Sequence, residues 1–170
     1  MIRAFGTENT PLIECINPKI KKYRIRWDKQ PFLDDDSEEQ GVSFMEEDIL
    51  HKPTLSEVKG IVLRGFNAIV DEKILSGFKW KEMPVWLSHE NQFNYKSAYD
   101  LAVQTNGATL PVTIKFGTIE EPVYYDFTVI EELQDFYMGV TAHINSCLQE
   151  GWKKKDNINW SEYEESLNKI

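Results

Sequence analysis

The 170-residue chain has few cysteines and no long hydrophobic run. Its two cysteines, Cys15 and Cys147, lie far apart in sequence, so we expect two reduced thiols rather than a small secreted scaffold held by disulfide bonds. No stretch approaches the ~20 apolar residues that a membrane-spanning helix needs, and residues 1–6 contain no apolar run of signal-peptide length. We therefore expect a cytoplasmic protein with no membrane partner.

The sequence also lacks the short motifs that bind phosphates, dinucleotides or catalytic zinc. It contains no Gly-x-x-x-x-Gly-Lys-Ser/Thr, no Gly-x-Gly-x-x-Gly and no His-Glu-x-x-His, and its three histidines have no metal-ligand spacing. The acidic run at 34–39 resembles the start of a calcium loop, but Glu39 and Met45 stand where an EF-hand needs Gly and Glu. We therefore expect no metal, no cofactor and no enzymatic activity.

One pair of residues keeps a catalytic alternative open. Cys147 and His143 are spaced i, i+4 in a predicted helix and therefore share one helix face. A thiolate and an imidazole placed in this way could act as a nucleophile and its base. A core cysteine beside a half-buried histidine has the same spacing, so a thiol enzyme that uses Cys147 and His143 is the alternative interpretation.

The periodicity of the apolar residues predicts an α+β protein in three segments. Residues 1–52 form a strand-rich segment, in which antiparallel strands at 22–27 and 42–50 are joined by an acidic loop. Residues 53–158 form a body of three main helices interleaved with two short β-hairpins. Residues 159–170 form a polar C-terminal tail.

Capping signals mark where the predicted helices begin and end. Thr54 and Glu57 have the spacing of a capping box at the start of the first helix, and Gly77 is predicted to end that helix. Ser88 is placed to cap the second helix. The third helix is predicted to span about 130–151 and to end at a glycine.

The charge pattern leaves a second alternative. A net charge of −9 disfavours non-specific binding to phosphate backbones, so nucleic acid is not the expected partner. A basic cluster nevertheless occupies residues 19–26, and a basic strand with aromatic neighbours can bind single-stranded nucleic acid. The same cations could instead face Glu46 and Glu47 of the partner strand. A nucleic-acid-binding or regulatory module that uses the strand at 19–26 is therefore the other alternative.

Aromatic residues are concentrated around the first predicted hairpin. Trp80 and Trp86 lie in this short hairpin, where packing on a helix is the plain interpretation but complete burial of two tryptophans is difficult. Tyr23 and Trp27 share one face of the predicted strand at 22–27. We take these four residues as candidates for a protein-interaction surface.

Residues 74–158 carry an ordered series of motifs. A helix ends in a Gly-aromatic pair and is followed by a short strand, a capped helix, two strands, and a capped helix with a late His and a closing Lys-Asp. The segments are Gly77-Phe78, Pro84-Val85-Trp86-Leu87-Ser88, Gln92-Phe93-Asn94-Tyr95, Phe127-Thr128, Glu131-Glu132-Leu133, His143-Ile144-Asn145 and Lys155-Asp156-Asn157-Ile158. This order resembles a domain of unknown function found in phage and prophage proteins.

The resemblance covers about half of the chain. Such domains commonly occur in small proteins encoded near tail-fibre and tail-assembly genes, and the family has no established activity or catalytic residues. The resemblance implies a non-enzymatic phage or prophage protein, a tail or tail-fibre accessory or assembly factor that binds a protein partner or forms a homo-oligomer. It would be located in the cytoplasm of the bacterial host or be incorporated in a virion.

Overall fold

A computed structural model describes residues 2–33 and 40–170, and it confirms the α+β fold class with antiparallel strands before the main helices. The acidic loop predicted at 34–39 lies outside the described residues. The strands are β1 (Ile2–Gly6), β2 (Ile13–Asn17), β3 (Lys22–Leu33), β4 (Gln40–Ile49), β5 (Phe78–Trp80), β6 (Met83–Val85), β7 (Val112–Gly117) and β8 (Pro122–Phe127). The helices are α1 (Leu55–Ser76), α2 (His89–Gln104), α3 (Ile130–Asp156) and α4 (Trp160–Asn168).

The tertiary contacts divide the chain into two compact units. Unit 1 contains the described residues of Met1–Ala68 together with Lys153–Ile170, and unit 2 contains Ile69–Trp152. Each unit therefore contains part of α1 and part of α3, and unit 2 is continuous in sequence. The predicted segment bounds follow secondary structure, whereas these units follow tertiary contacts.

Unit 1 is built on an antiparallel sheet with the strand order β1-β4-β3-β2. The predicted pairing of 22–27 with 42–50 is confirmed, because both segments lie in the paired strands β3 and β4. Trp27 of β3 packs on α1 at Gly65, where an added Cβ would lie 2.5 Å from the indole Nε1. The absence of a side chain at Gly65 is therefore what admits the Trp27 ring.

The sheet edge at β2 is covered by α4. The Ser166 hydroxyl of α4 accepts a hydrogen bond from the Ile13 amide at 3.1 Å and lies 3.4 Å from the Ile13 carbonyl, to which it donates. The Tyr163 hydroxyl donates to the Arg26 carbonyl at 2.9 Å. These contacts occupy backbone groups that an exposed edge would offer to another strand.

The register of β3 and β4 decides which acidic residues meet the basic strand. Arg24 lies opposite Asp48, and Arg26 lies opposite Glu46. The prediction that the basic residues of β3 face Glu46 is therefore confirmed. Glu47 is not on that face, because successive strand residues point to opposite sides. It accepts a hydrogen bond from Arg64 of α1 at 3.0 Å instead.

The helix boundaries follow the capping signals at two of the predicted sites. The Thr54 amide donates to the Glu57 carboxylate at 2.8 Å, and the Glu57 amide donates to the Thr54 hydroxyl at 3.3 Å, which confirms the capping box. The Ser88 hydroxyl accepts from the Asn91 amide at 3.2 Å at the start of α2. α1 ends at Ser76, directly before the predicted stop.

The predicted end of α3 is wrong, since the helix continues five residues past Gly151 to Asp156. An added Cβ at Gly151 would overlap the Val70 side chain of α1. This glycine therefore allows two helices to approach closely inside unit 2, and it does not end the helix.

Unit 2 has an aromatic core centred on Phe136 of α3. The Phe136 ring lies 5.1 Å from Tyr95, 5.2 Å from Phe127 and 5.3 Å from Phe116, measured between ring centroids. These distances are typical of packed aromatic pairs. The core joins α2 and α3 to the β7–β8 hairpin and so fixes the parts that surround the site described next.

Candidate functional site

The four aromatic residues predicted to form an interaction surface differ widely in exposure. Trp27 is 1% exposed and belongs to the core of unit 1, so burial removes it from the surface. Tyr23 is half-buried in the same unit. In unit 2, Trp80 is half-buried and its ring meets Phe136 edge to face at 5.5 Å, whereas Trp86 is 53% exposed. Of the four, Trp86 presents the largest accessible fraction.

Trp86 forms one wall of a groove in unit 2 with a volume of about 720 Å³. The other walls are the end of α1, the adjoining part of β6, the first half of α2, and β7 with the turn that follows it. Buried apolar side chains line its interior: Val85, Ile114 and Phe116. The groove is therefore a mostly apolar concavity in the size range of about 300–1,000 Å³ that is usual for ligand sites.

The backbone beside Trp86 is held by side chains of α2. The Asn91 amide group donates to the Trp86 carbonyl at 2.8 Å, and the Gln92 amide group donates to the Leu87 carbonyl at 2.7 Å. The Leu87 amide donates to the Leu75 carbonyl at 2.9 Å. The Trp86 side chain is thus presented from a fixed backbone rather than from a free loop.

Tyr95 of α2 lines the groove and brings a polar group to an apolar wall. It is 6% exposed, and its hydroxyl has no hydrogen-bonding partner among the described residues. Burial raises the pKa of Tyr95, so the hydroxyl keeps its proton. The Tyr95 oxygen is not one of the fully enclosed atoms without a partner, so it can still reach water or a ligand.

The turn after β7 forms the lip of the groove. Gly117 has φ +80°, which favours glycine, and an added Cβ would lie 3.3 Å from the Val123 amide nitrogen. The Thr118 hydroxyl accepts from the Glu121 amide at 3.0 Å and closes the turn. Ile119 at its tip lines the groove and is 90% exposed, so the lip presents an apolar side chain to the surroundings.

The Cys147–His143 pair does not have the geometry of an activated nucleophile. Sγ of Cys147 lies 3.7 Å from Nε2 of His143, but the same nitrogen lies 3.0 Å from the Lys73 carbonyl. A carbonyl accepts only, so Nε2 carries the proton and cannot take one from the thiol. Burial raises the pKa of the Cys147 thiol, which also opposes thiolate formation.

The two cysteines allow a direct test of this interpretation. In the variants Cys15→Ser and Cys147→Ser, each with one thiol, we expect Cys147 to react with a disulfide reagent at least about tenfold more slowly than half-buried Cys15. In denaturant the two thiols should react at similar rates. Native-state reaction of Cys147 faster than that of an unfolded thiol would contradict the interpretation and favour a thiol enzyme.

The basic strand is largely occupied by carboxylates. Arg24 donates to Asp48 at 2.7 Å, Lys22 lies 2.9 Å from Asp48, and Arg26 lies 3.0 Å from Glu14. The hydrogen bond from Arg24, with a second from Lys22, lowers the pKa of Asp48 to about 2, so this carboxylate stays charged. A strand neutralised in this way offers these cations poorly to a phosphate backbone.

A buried carboxylate, Asp28, interrupts β3 in unit 1. The pairing register shifts between Trp27 and Gln30, and Asp28 itself has φ +51°. Its carboxylate accepts from Arg3, from Gln30 at 3.1 Å and from Lys154 at 3.0 Å. Burial alone would raise the pKa of Asp28, but the hydrogen bonds from Lys154, Gln30 and Arg3 outweigh it and hold the pKa below its ordinary value.

A charged cluster supports the turn of the β5–β6 hairpin. Lys81 and Glu82 have φ +47° and +66°, which is strained for residues other than glycine. Lys81 donates to Glu132 at 2.5 Å and to Tyr125 at 2.6 Å, and these bonds, that to Glu132 first, raise the pKa of Lys81. An amine held in its charged form positions the turn and is a poor nucleophile.

Sequence reasoning identified Trp86 but missed the other groove residues. Tyr95 falls at an apolar position of α2, where the sequence pattern does not distinguish a groove tyrosine from a core tyrosine. Ile119 lies in a segment that reads as an ordinary turn. The lack of a partner for a hydroxyl depends on tertiary packing, so no local pattern could have revealed it.

No family model, curated protein or solved structure matches the chain. The resemblance of residues 74–158 to a phage domain therefore stays a prediction. Within 2–33 and 40–170, no three His, Cys, Asp or Glu side chains are grouped so that they could hold a metal ion. Over the same residues, no helix is both long and apolar enough to cross a bilayer.

Proposed function

We propose that this protein is non-enzymatic and acts by binding another protein, or a second copy of itself, through the rim of the unit 2 groove. The observation that carries the proposal is the exposure of two large apolar side chains, Trp86 and Ile119, at the same concavity. Exposed tryptophan beside a pocket is typical of interface hot spots.

The chemistry of the candidate catalytic groups favours binding over catalysis. The Cys147 thiol is buried with a raised pKa, and the imidazole nitrogen that faces it is already used by the Lys73 carbonyl. The Lys81 amine is held charged by Glu132 and Tyr125. Neither group is prepared for nucleophilic or general-base work.

We further propose that the partner is a component of a phage or prophage tail, and that the protein is a tail or tail-fibre accessory or assembly factor of the host cytoplasm or the virion. This part of the proposal is supported by the resemblance of residues 74–158 alone. It is tested by mixing the chain with the products of its neighbouring genes and measuring mass by size-exclusion chromatography with light scattering. A strict monomer that binds none of them would overturn it.

Trp86→Ala should weaken the complex or the homo-oligomer so detected by about tenfold or more, since truncating a central tryptophan commonly costs over 1.4 kcal/mol. Dissociation constants measured by isothermal titration, or by dilution for self-association, provide the readout. Because the Trp86 side chain is exposed, we expect the variant to stay folded, and its circular dichroism spectrum checks this directly.

Trp152→Ala is a matched control for this experiment. Trp152 belongs to the same unit and is also 53% exposed, but it lies on α3 and does not line the groove. The affinity of this variant should equal that of the unchanged protein. Equal losses in the two variants would show that exposed tryptophan in general, and not the groove, holds the partner.

A further inference from the structure

Tyr95 supplies the one feature of the groove that protein contact at its rim does not explain. The Tyr95 side chain is nearly enclosed, lines the groove, and has a hydroxyl without a hydrogen-bonding partner in the described residues. The fully enclosed polar atoms that lack partners belong to Trp27, Trp80 and Thr109, so the Tyr95 oxygen is not one of them. The Tyr95 oxygen therefore keeps some accessible surface, and Tyr95 lines the groove.

Such a hydroxyl is satisfied when a ligand occupies the space beside it. A neutral hydrogen bond that replaces one to water contributes about 0.5–1.5 kcal/mol net, and a ligand oxygen beside the Tyr95 hydroxyl would supply it. Because burial raises the pKa of Tyr95, its hydroxyl stays protonated and can donate. The complementary group on a ligand is thus a hydrogen-bond acceptor, such as a ketone, ether or hydroxyl oxygen.

The charges around the groove indicate that the ligand is uncharged. Lys115 and Glu120 are the two charged residues that line it, and they have opposite signs. Ser76, Asn91 and Thr118 add uncharged polar groups, and Val85, Ile114 and Phe116 supply apolar carbon. Because the two lining charges cancel, the groove has no net charge to balance a charged ligand. Moving an unbalanced charge from water into apolar surroundings costs free energy.

We infer that the unit 2 groove is a binding site for a small, uncharged, largely apolar molecule that carries one acceptor oxygen hydrogen-bonded by Tyr95. The groove volume of about 720 Å³ accommodates a bicyclic aromatic compound or a molecule of similar size. All residues of this site belong to one chain, so ligand binding does not require a protein partner. Failure of the partner experiments therefore leaves it unaffected.

Two probes that differ in one oxygen test the inference. 2-Acetylnaphthalene has an acceptor carbonyl, and 2-ethylnaphthalene has the same ring and nearly the same shape without it. Titrations followed by amide shifts in ¹H–¹⁵N spectra should place both probes at Trp86, Tyr95 and Ile114. The acetyl compound should bind about fivefold more tightly, which is the typical effect of one neutral hydrogen bond.

Tyr95→Phe should abolish this preference and leave the affinity for 2-ethylnaphthalene unchanged. Tyr99→Phe is the matched control, since Tyr99 lies one turn later in α2, stacks on Tyr137 and does not line the groove. It should keep the fivefold preference. Because the Tyr95 hydroxyl has no partner in the described residues, Tyr95→Phe should also keep the melting temperature.

The outcomes that overturn the inference are distinct. Failure of both probes to bind up to their solubility limit would exclude the site. A preference that persists in Tyr95→Phe would exclude the donor role of the hydroxyl. A fall of several degrees in the melting temperature of Tyr95→Phe would show a structural hydroxyl, and tighter binding of 2-naphthoate than of 2-acetylnaphthalene would exclude an uncharged ligand.

Discussion

Gly65→Ala is expected to lower the free energy of unfolding by about 2–3 kcal/mol. The new methyl group would lie 2.5 Å from both Cζ2 and Nε1 of Trp27, well inside contact distance, and the Trp27 ring is buried between the sheet and α1. The ring has little room to move, so either the helix or the strand must shift. Urea denaturation followed by circular dichroism measures the loss.

Gly60→Ala provides the control in the same helix. Apart from its chain neighbours and its own helix backbone, no atom of the described residues lies within 4 Å of the position that its Cβ would take, so the substitution adds helix propensity without a clash. We expect stabilisation of about 0.5–1 kcal/mol. If both alanine variants were stabilised alike, the packing of Trp27 against Gly65 would be refuted.

Asp28→Asn is expected to lower the free energy of unfolding by about 2 kcal/mol at pH 7, which is typical for hydrogen bonds to a charged group. Asparagine keeps the shape and tolerates the positive φ of this position. What it removes is the negative charge that Arg3 and Lys154 face. Thermal and urea unfolding of the two proteins side by side give the difference.

The difference between the two proteins should depend on pH in one direction. The pKa of Asp28 is lower in the folded than in the unfolded state, so the carboxylate contributes stability above its ordinary pKa of 3.8. That contribution disappears as the pH falls through the folded pKa, whereas asparagine does not titrate. The stability curves of the two proteins should therefore be parallel at neutral pH and converge below about pH 4.

Glu47→Gln is the matched control for the charge change. Glu47 pairs with exposed Arg64 on the surface of unit 1, where such pairs contribute about 0–1 kcal/mol. Its curve should stay close to that of the unchanged protein at all pH values. A loss as large as that of Asp28→Asn would attribute the effect to net charge and not to the buried network.

Local signals were sufficient to predict much of the fold. The alternation at 22–27 lies in β3, and the Thr54–Glu57 spacing is a capping box with hydrogen bonds of 2.8 and 3.3 Å. Both signals act between residues that are neighbours along the chain, so tertiary structure has little power to change them. The α+β class follows from these elements.

Features that depend on tertiary packing were predicted wrongly or not at all from the sequence. Gly151 has the composition of a helix end, but its role is to admit Val70, which is a residue of another helix. Trp27 looked available for binding because strand periodicity gives its face but not what covers that face. The groove is assembled from α1, α2 and two hairpins, and no one of these segments predicts it.

The discontinuity of unit 1 has a consequence for synthesis on the ribosome. All residues of unit 2 emerge before Lys153–Ile170, so this unit can complete its core while unit 1 still lacks its last piece. Until Ser166 and Tyr163 are made, the Ile13 amide and the Arg26 carbonyl have no α4 to bind, and the β2 edge is open to other strands. The nascent chain therefore exposes its aggregation-prone β2 edge from the synthesis of β2 until α4 has been made.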